Sequence, residues 1–217
     1  MARKTKEEAQ ATRHAILDAA EKLFQQHGVS RSSLQDIAAA AGVTRGAIYW
    51  HFRDKADLFN AMMERVTLPL EQSLEVLERA DQDDPLADIR ALTLQALLQI
   101  ANDPQTRRVF EIATHKVEYV DEQLGIRDRH LHSRNGCLVH LEHCLATAKH
   151  SARIDSVASP RAIALGLHAL IDGLIQNWLL DPAGFDLVAV GLQAVDTYLA
   201  GLKTRQRVPK RLAVQTL

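Results

Sequence analysis

Aromatic side chains make up only 5% of the chain, and no segment alternates apolar with polar residues in the two-residue rhythm of a half-buried strand. Both absences argue against sheets and barrels. Cysteine is nearly absent as well: Cys137 and Cys144 stand alone. Seven residues along one helix is about 10 Å, too far for these two to form a disulfide. The pair therefore reads as free thiols in a reducing compartment. No apolar run approaches the roughly 18 residues expected of a membrane span. Near the N-terminus Glu7, Glu8 and Gln10 stand where an export signal would be apolar, so the expected location is cytoplasmic, with no membrane partner. There is no internal repeat, no glycine-rich phosphate loop, no recognisable Ser/His/Asp or Cys/His arrangement and no paired-carboxylate signature. Catalysis finds no support, and an all-α enzyme or a protein-docking module is the alternative from another class.

What is abundant is apolar content, at 47%, with Ala and Leu prominent, enough for a sizeable helical core. The net charge of −1 says little; its distribution says more. Residues 1–55 carry nine Lys/Arg against six Asp/Glu, a net of +3, and the remainder carries 17 against 21, a net of −4. A basic head on an acidic body suits an anion-binding module.

Helical spacing of Ala9, Ile16, Ala20, Leu23 and Phe24 predicts a first helix over 7–27, closed by Gly28. Ser32 or Ser33 can cap a second over 34–41, and Thr44 a third reaching His51. Asp54 can cap a fourth, long and amphipathic, which Pro69 is expected to kink or break. Asp84-Pro85, Asp103-Pro104 and Ser159-Pro160 each place proline at a first helical position. A further long helix is expected over 121–150, and Pro182–Gly184 separates the segment ending near Leu180 from a last one over 185–203. The fold class is all-α: an N-terminal three-helix helix-turn-helix domain over 1–54, a larger helical ligand-binding and dimerisation domain over 55–204, and a basic tail over 205–217.

The segment from Leu34 to Phe52 carries the function. Ile37 and the small Ala38 face inward, Gly42 supplies a turn needing positive φ, and Val43 fills the corner. Ile48 and Phe52, four apart, anchor the following helix; His51 stands where an aliphatic residue is usual, and Phe52 takes that packing role. Arg45 and Tyr49 share the outer side, with Trp50 beside them. A short surface helix displaying these side chains has a partner to contact. Arg45 can offer a bidentate fork to guanine, and Tyr49 and Trp50 can meet phosphates or thymine methyls. Lys55, at a helix N-terminus, favours phosphate. With the cap Thr44 and with His51, equally able to pack or touch phosphate, these residues form the candidate DNA-contacting set.

The opening decapeptide, the run Gly42–Phe52 and the segment Arg53-Asp-Lys-Ala-Asp-Leu58 resemble the TetR family of repressors, in particular its AcrR-like branch that controls multidrug efflux pumps. Weaker likeness continues through Thr106-Arg-Arg108, Glu111-Ile, His115-Lys-Val-Glu118, Asp172-Gly-Leu-Ile175 and Trp178-Leu-Leu180. The resemblance implies a third helix in the DNA major groove, with Arg45, Tyr49, Trp50, His51 and Lys55 on contacting positions. It implies an operator of (pseudo)palindromic duplex DNA, control of an efflux operon, release by a small apolar or aromatic effector, and no cofactor. It also implies a cavity lined by Thr67, Leu92, Ala96, Phe110, Thr114, Cys137, Leu141, His168, Asp172 and Ile175. A carboxylate at Asp172, among leucines and isoleucines, either orients a cationic or hydroxylated ligand or bonds a neighbouring helix or subunit.

In that family the last two helices of each subunit form a four-helix dimer interface. Here the small residues Ala162, Gly166, Ala169 and Gly173 make one stripe that permits close approach. Ile163, Leu167, Leu170, Leu174 and Trp178 make another, and Phe185, Val188, Leu192, Val195 and Leu199 mark the last helix. The expected homodimer interface comprises Gly166, Ala169, Gly173, Leu192, Val195 and Leu199, with ordinary intrachain core as the alternative. Finally, His130, His132, Cys137, His140, His143 and Cys144 invite a metal-responsive alternative, although their spacing matches no recurrent zinc pattern, and no metal site is assigned.

Overall fold

A computed structural model describes residues 6–79, 84–118 and 124–203. Among these residues nine helices account for the regular structure: α1 (Lys6–His27), α2 (Leu34–Ala40), α3 (Arg45–His51), α4 (Lys55–Arg79), α5 (Pro85–Asn102), α6 (Pro104–His115), α7 (Leu124–His150), α8 (Pro160–Leu180) and α9 (Leu187–Leu202). The class is all-α, as the absent strand rhythm predicts. The basic tail over 205–217 lies outside the described residues, as do residues 121–123, the expected start of α7.

Local chemistry explains the boundaries. α1 stops at Gly28, whose φ of +82° is comfortable for glycine alone. Of the two serines that could cap α2, Ser33 does so: its hydroxyl accepts from Asp36 N–H, and the Asp36 carboxylate accepts from Ser33 N–H. Ser32 is instead buried, its hydroxyl donating to Gly28 O at 2.9 Å. Asp84 and Asp103 accept from the first-turn N–H groups of α5 and α6, each with proline at the first position, and Ser159 does the same for α8. The Thr106 hydrogen bonds hold the Asp103 carboxyl below its ordinary value. Asp186 caps α9, accepting from Val188 and Ala189 N–H at 2.9 Å. The last helix therefore begins at Leu187, and Phe185, expected inside it, precedes the cap.

Two further expectations need correction. Of the two alternatives at Pro69 the break does not occur, since α4 continues to Arg79; the helix forgoes one N–H donor on an exposed side and propagates past it. The absence of a span-length apolar segment also fails: α8 is long and apolar enough to cross a membrane by length and composition. Its apolarity has a use within the chain, where Ile163, Ala164, Leu167, Ile175, Trp178 and Leu179 are buried.

The core is organised in three clusters. The first joins Ile16, Leu17, Ala20 and Phe24 of α1 to Ile37, Ala38 and Ile48 of α2 and α3, with Phe52 beyond α3. It continues without interruption into Leu58, Phe59 and Met62 of α4 and Val109 and Ile112 of α6. The head thus shares its core with the body across the 54/55 boundary. The other two clusters bind α5, α8 and α9, the larger of them also taking in α7.

Candidate functional site

The turn between α2 and α3 is built on Gly42, at φ +66°, followed by Val43 N–H donating to Ala38 O. Thr44 begins α3 by accepting from Ala47 N–H at 3.2 Å. Ile48 and Phe52 are buried, so the opposite side of α3 must face solvent. Tyr49 is 48% and Trp50 72% exposed, and Arg45 beside them is exposed too. Arg45 lies over the Tyr49 ring at 5.4 Å and donates to its hydroxyl at 3.0 Å. This arrangement pre-orients a guanidinium on the open face. The half-buried His51 ring meets Trp50 edge-on with centroids 4.5 Å apart. Lys55 has a structural duty: its ammonium donates to Ser30 O and Ser32 O, both at 3.2 Å, and ties the α1–α2 loop to the start of α4.

Within the body, α4, α5, α6, α7 and α8 enclose a cavity of about 290 Å³. Thr67, Leu92, Ala96, Phe110, Cys137, Leu141, His168, Asp172 and Ile175 all border it. Thr114 does not, and this expectation is corrected: Ala113 lines the wall instead, three positions from Phe110 and on its side of α6. Asp172 accepts from Gln176 Nε2 at 2.6 Å. Burial holds the His168 imidazole below its ordinary value; Asp172 opposes this, while Arg134 and His130 reinforce it. Burial also pushes the Cys137 thiol up to about 11, so it is no ready nucleophile.

Sequence reasoning missed the polar wall. Arg129 pairs with Glu71 at 3.1 Å and Glu64 at 3.7 Å, and Ser133 donates to Glu71 at 2.9 Å. Arg134 also lines the cavity. It missed the bracing between head and body too: the buried Glu21 of α1 accepts from Arg108 and from Gln105 at 3.0 Å, and Asp18 pairs with Arg65 of α4 at 2.8 Å. Pairs separated by many tens of residues leave no periodic trace.

Residues 16–62 match the model of bacterial regulatory proteins of the tetR family. Residues 84–204, more than half of the chain, match the C-terminal region of MAATS-type transcriptional repressors. The HTH-type transcriptional regulator TtgR of Pseudomonas putida is 39% identical over 203 residues, covering 94% of this chain and 97% of TtgR. The chain belongs to the TetR family. Its solved relatives agree in fold. NalD, described as the secondary repressor of the MexAB-OprM multidrug efflux pump in Pseudomonas aeruginosa, superposes with a TM-score of 0.83 at 38% identity, covering 91% of this chain and 98% of NalD. SmeT in complex with triclosan gives 0.79 at 34% identity, covering 94% and 99%; SmeT is described as the repressor of the Stenotrophomonas maltophilia multidrug efflux pump SmeDEF. This is a family of transcriptional regulators, not of enzymes.

The residues expected on α8 and α9 at a dimer interface divide. Val195 and Leu199 are buried within their own chain, so neither is available to a partner. Gly166 is also spoken for: a Cβ there would meet the Tyr198 hydroxyl, which donates to Ile163 O at 2.9 Å. Its smallness serves the α8–α9 contact. Leu192 is half-buried. Ala169 is exposed, and a Cβ added at Gly173 would meet nothing within 4 Å, leaving an open face continued by Ala162 and Leu165. The stripe from Ile163 to Trp178 is intrachain core, with Ile163, Leu167 and Trp178 buried. The His/Cys cluster disperses: His140 is buried with Cys144 Sγ 3.5 Å from its Nε2, and among the described residues no three His, Cys, Asp or Glu side chains converge to hold a metal.

Proposed function

We propose that the chain is a sequence-specific DNA-binding repressor that acts as a homodimer in the cytoplasm and is released from its operator by a small effector held in the α4–α8 cavity. The observation that carries this reading is α3 itself. A seven-residue helix exposes Tyr49 and Trp50 beside an oriented Arg45, an unfavourable display for a face with nothing to bind. Arg45 reaches guanine edges in the major groove, Tyr49 and Trp50 contact phosphate or thymine methyl, and Thr44 and Lys55 sit at helix N-termini suited to phosphate. The dimer face is the open strip of Ala162, Leu165, Ala169 and Gly173. Two-fold symmetry then calls for a (pseudo)palindromic operator. NalD and SmeT are described as repressors of multidrug efflux pumps, and the regulated genes proposed here are an efflux operon of that kind.

Coupling runs through helices that touch both sites. α4 begins at the DNA-facing Lys55 and lines the cavity with Phe59, Met63 and Thr67. α6 lines it with Phe110 and Ala113, while Gln105 and Arg108 of the same helix hold Glu21 of α1. An effector that fits the cavity better when α4 and α6 are displaced shifts the population toward heads spaced away from adjacent major grooves. The coupling expected of such a device is about 1–3 kcal/mol.

Arg45→Ala tests the reading. The variant should fold as wild type and lose about 1–3 kcal/mol of specific binding for the contact removed, with weak random-sequence binding retained. Unchanged operator affinity would remove α3 from the groove.

A further inference from the structure

Taking the cavity as the effector site, as proposed above, its wall also identifies the charge of what it holds. Four ionic side chains line it: Glu71, Arg129, Arg134 and Asp172. Arg129 and Glu71 neutralise each other. Asp172 keeps its charge, but its carboxylate already has a donor in the Gln176 amide. Arg134 differs. Its Nη2 donates to the neutral Asn135 side chain at 3.1 Å, and its Nε is buried with no hydrogen-bond partner among the described side chains. Buried donors are normally satisfied, and a guanidinium offers a fork suited to a planar oxyanion. On the neighbouring α4, two more lining residues present buried atoms without partners, Asn60 Oδ1 and Thr67 Oγ1. Asn60 Nδ2 already donates to Gly125 O, which fixes the amide with its oxygen as the free acceptor. The rest of the lining is apolar, with Phe59, Leu92, Phe110 and Ile171 among it.

We infer that the effector is a hydroxylated aromatic acid: a flat apolar body carrying a carboxylate or phenolate for Arg134 and a hydroxyl for Asn60 or Thr67. The cavity volume of about 290 Å³ lies just below the roughly 300–1,000 Å³ range of small-molecule sites, which suits a compact two-ring ligand. Burial holds the His168 imidazole below its ordinary value, opposed by Asp172 and reinforced by Arg134 and His130, whereas the Arg134 guanidinium keeps its charge.

The test uses three naphthalene probes and full-length protein, with dissociation constants from calorimetry. They are 6-hydroxy-2-naphthoate, its methyl ester, and 2-naphthylmethylamine. Wild type should bind the acid about tenfold more tightly than the ester, the difference expected of one charge-assisted contact, and the amine least. Arg134→Met should erase the acid–ester difference, and Arg134→Lys should keep most of it. Arg134→Gln serves should the Met variant not fold, with melting curves recorded for each. Ile171→Trp, which fills the cavity, should weaken acid and ester alike. Equal binding of acid and ester by wild type, an acid preference that survives in Arg134→Met, or a preference for the amine would each overturn the inference; the last would place recognition at Asp172. If Ile171→Trp still weakens binding in those cases, the cavity stands as the site. Insensitivity to Ile171→Trp, or no binding by any probe up to millimolar concentration, would overturn the cavity reading and the inference with it.

Discussion

On α3 the inward pair Ile48 and Phe52 commits the helix's apolar side to the core, and what faces outward is left to recognition. Lys55 shows how one residue can serve both ends. Its ammonium fastens the carbonyls of Ser30 and Ser32, and the proposed DNA contact adds a phosphate at the first turn of α4. Lys55→Ala should therefore lower the melting temperature and also flatten the salt dependence of DNA binding by about one unit of slope. Loss of stability with an unaltered salt slope, measured from about 50 to 200 mM salt, would confine Lys55 to the loop. The residues of the head were legible because turn chemistry and helical spacing specify them locally: Gly42, Thr44, Ile48 and Phe52 follow from neighbours a few positions away. Arg134 and Arg129 were not. A charge on α7 reads as a solvated face until Glu71 of α4 is known to lie opposite it.

At the level of elements, α8 carries two jobs that its sequence alone superimposes. Small residues along it suggest one continuous contact surface, but Gly166 is small for Tyr198 of the same chain, whereas Gly173 opens outward. Periodicity gives the stripe; only the placement of α9 divides it. The helix boundaries were readable from Asp and Ser caps ahead of proline, and the failures at Pro69 and Phe185 share a cause. Neither a local breaker nor an apolar residue carries in its own sequence that α4 continues on an exposed side, or that Asp186 caps α9. The division of α8 makes a clean test available. In Gly173→Arg the new Cβ meets no atom within 4 Å inside the chain, and a helical glycine is itself about 1 kcal/mol poorer than alanine, so the protomer should remain folded. An arginine forced into a close helix contact should weaken dimerisation by on the order of 3 kcal/mol. Sedimentation at micromolar concentration should then show monomer for the variant and dimer for wild type. A fully dimeric variant would move the interface elsewhere.

For the whole molecule, the basic head over 1–55 and the acidic body divide the work, one attracted to nucleic acid and the other repelled by it. The shared core that runs from α1 through α4 to α6 makes the head a rigid extension of the cavity walls rather than a tethered module. In the proposed mechanism this continuity is what carries a change in cavity shape to α3. In the proposed dimer, two such heads demand half-sites spaced by whole helical turns, about 34 Å or a multiple of it. The most direct measurement is selection of duplexes from a random pool by the purified protein, followed by sequencing of what is retained. The account predicts strong enrichment of one motif made of two inverted half-sites whose centres lie about 10 base pairs or a multiple apart. Retained duplexes indistinguishable in sequence from the starting pool would contradict it.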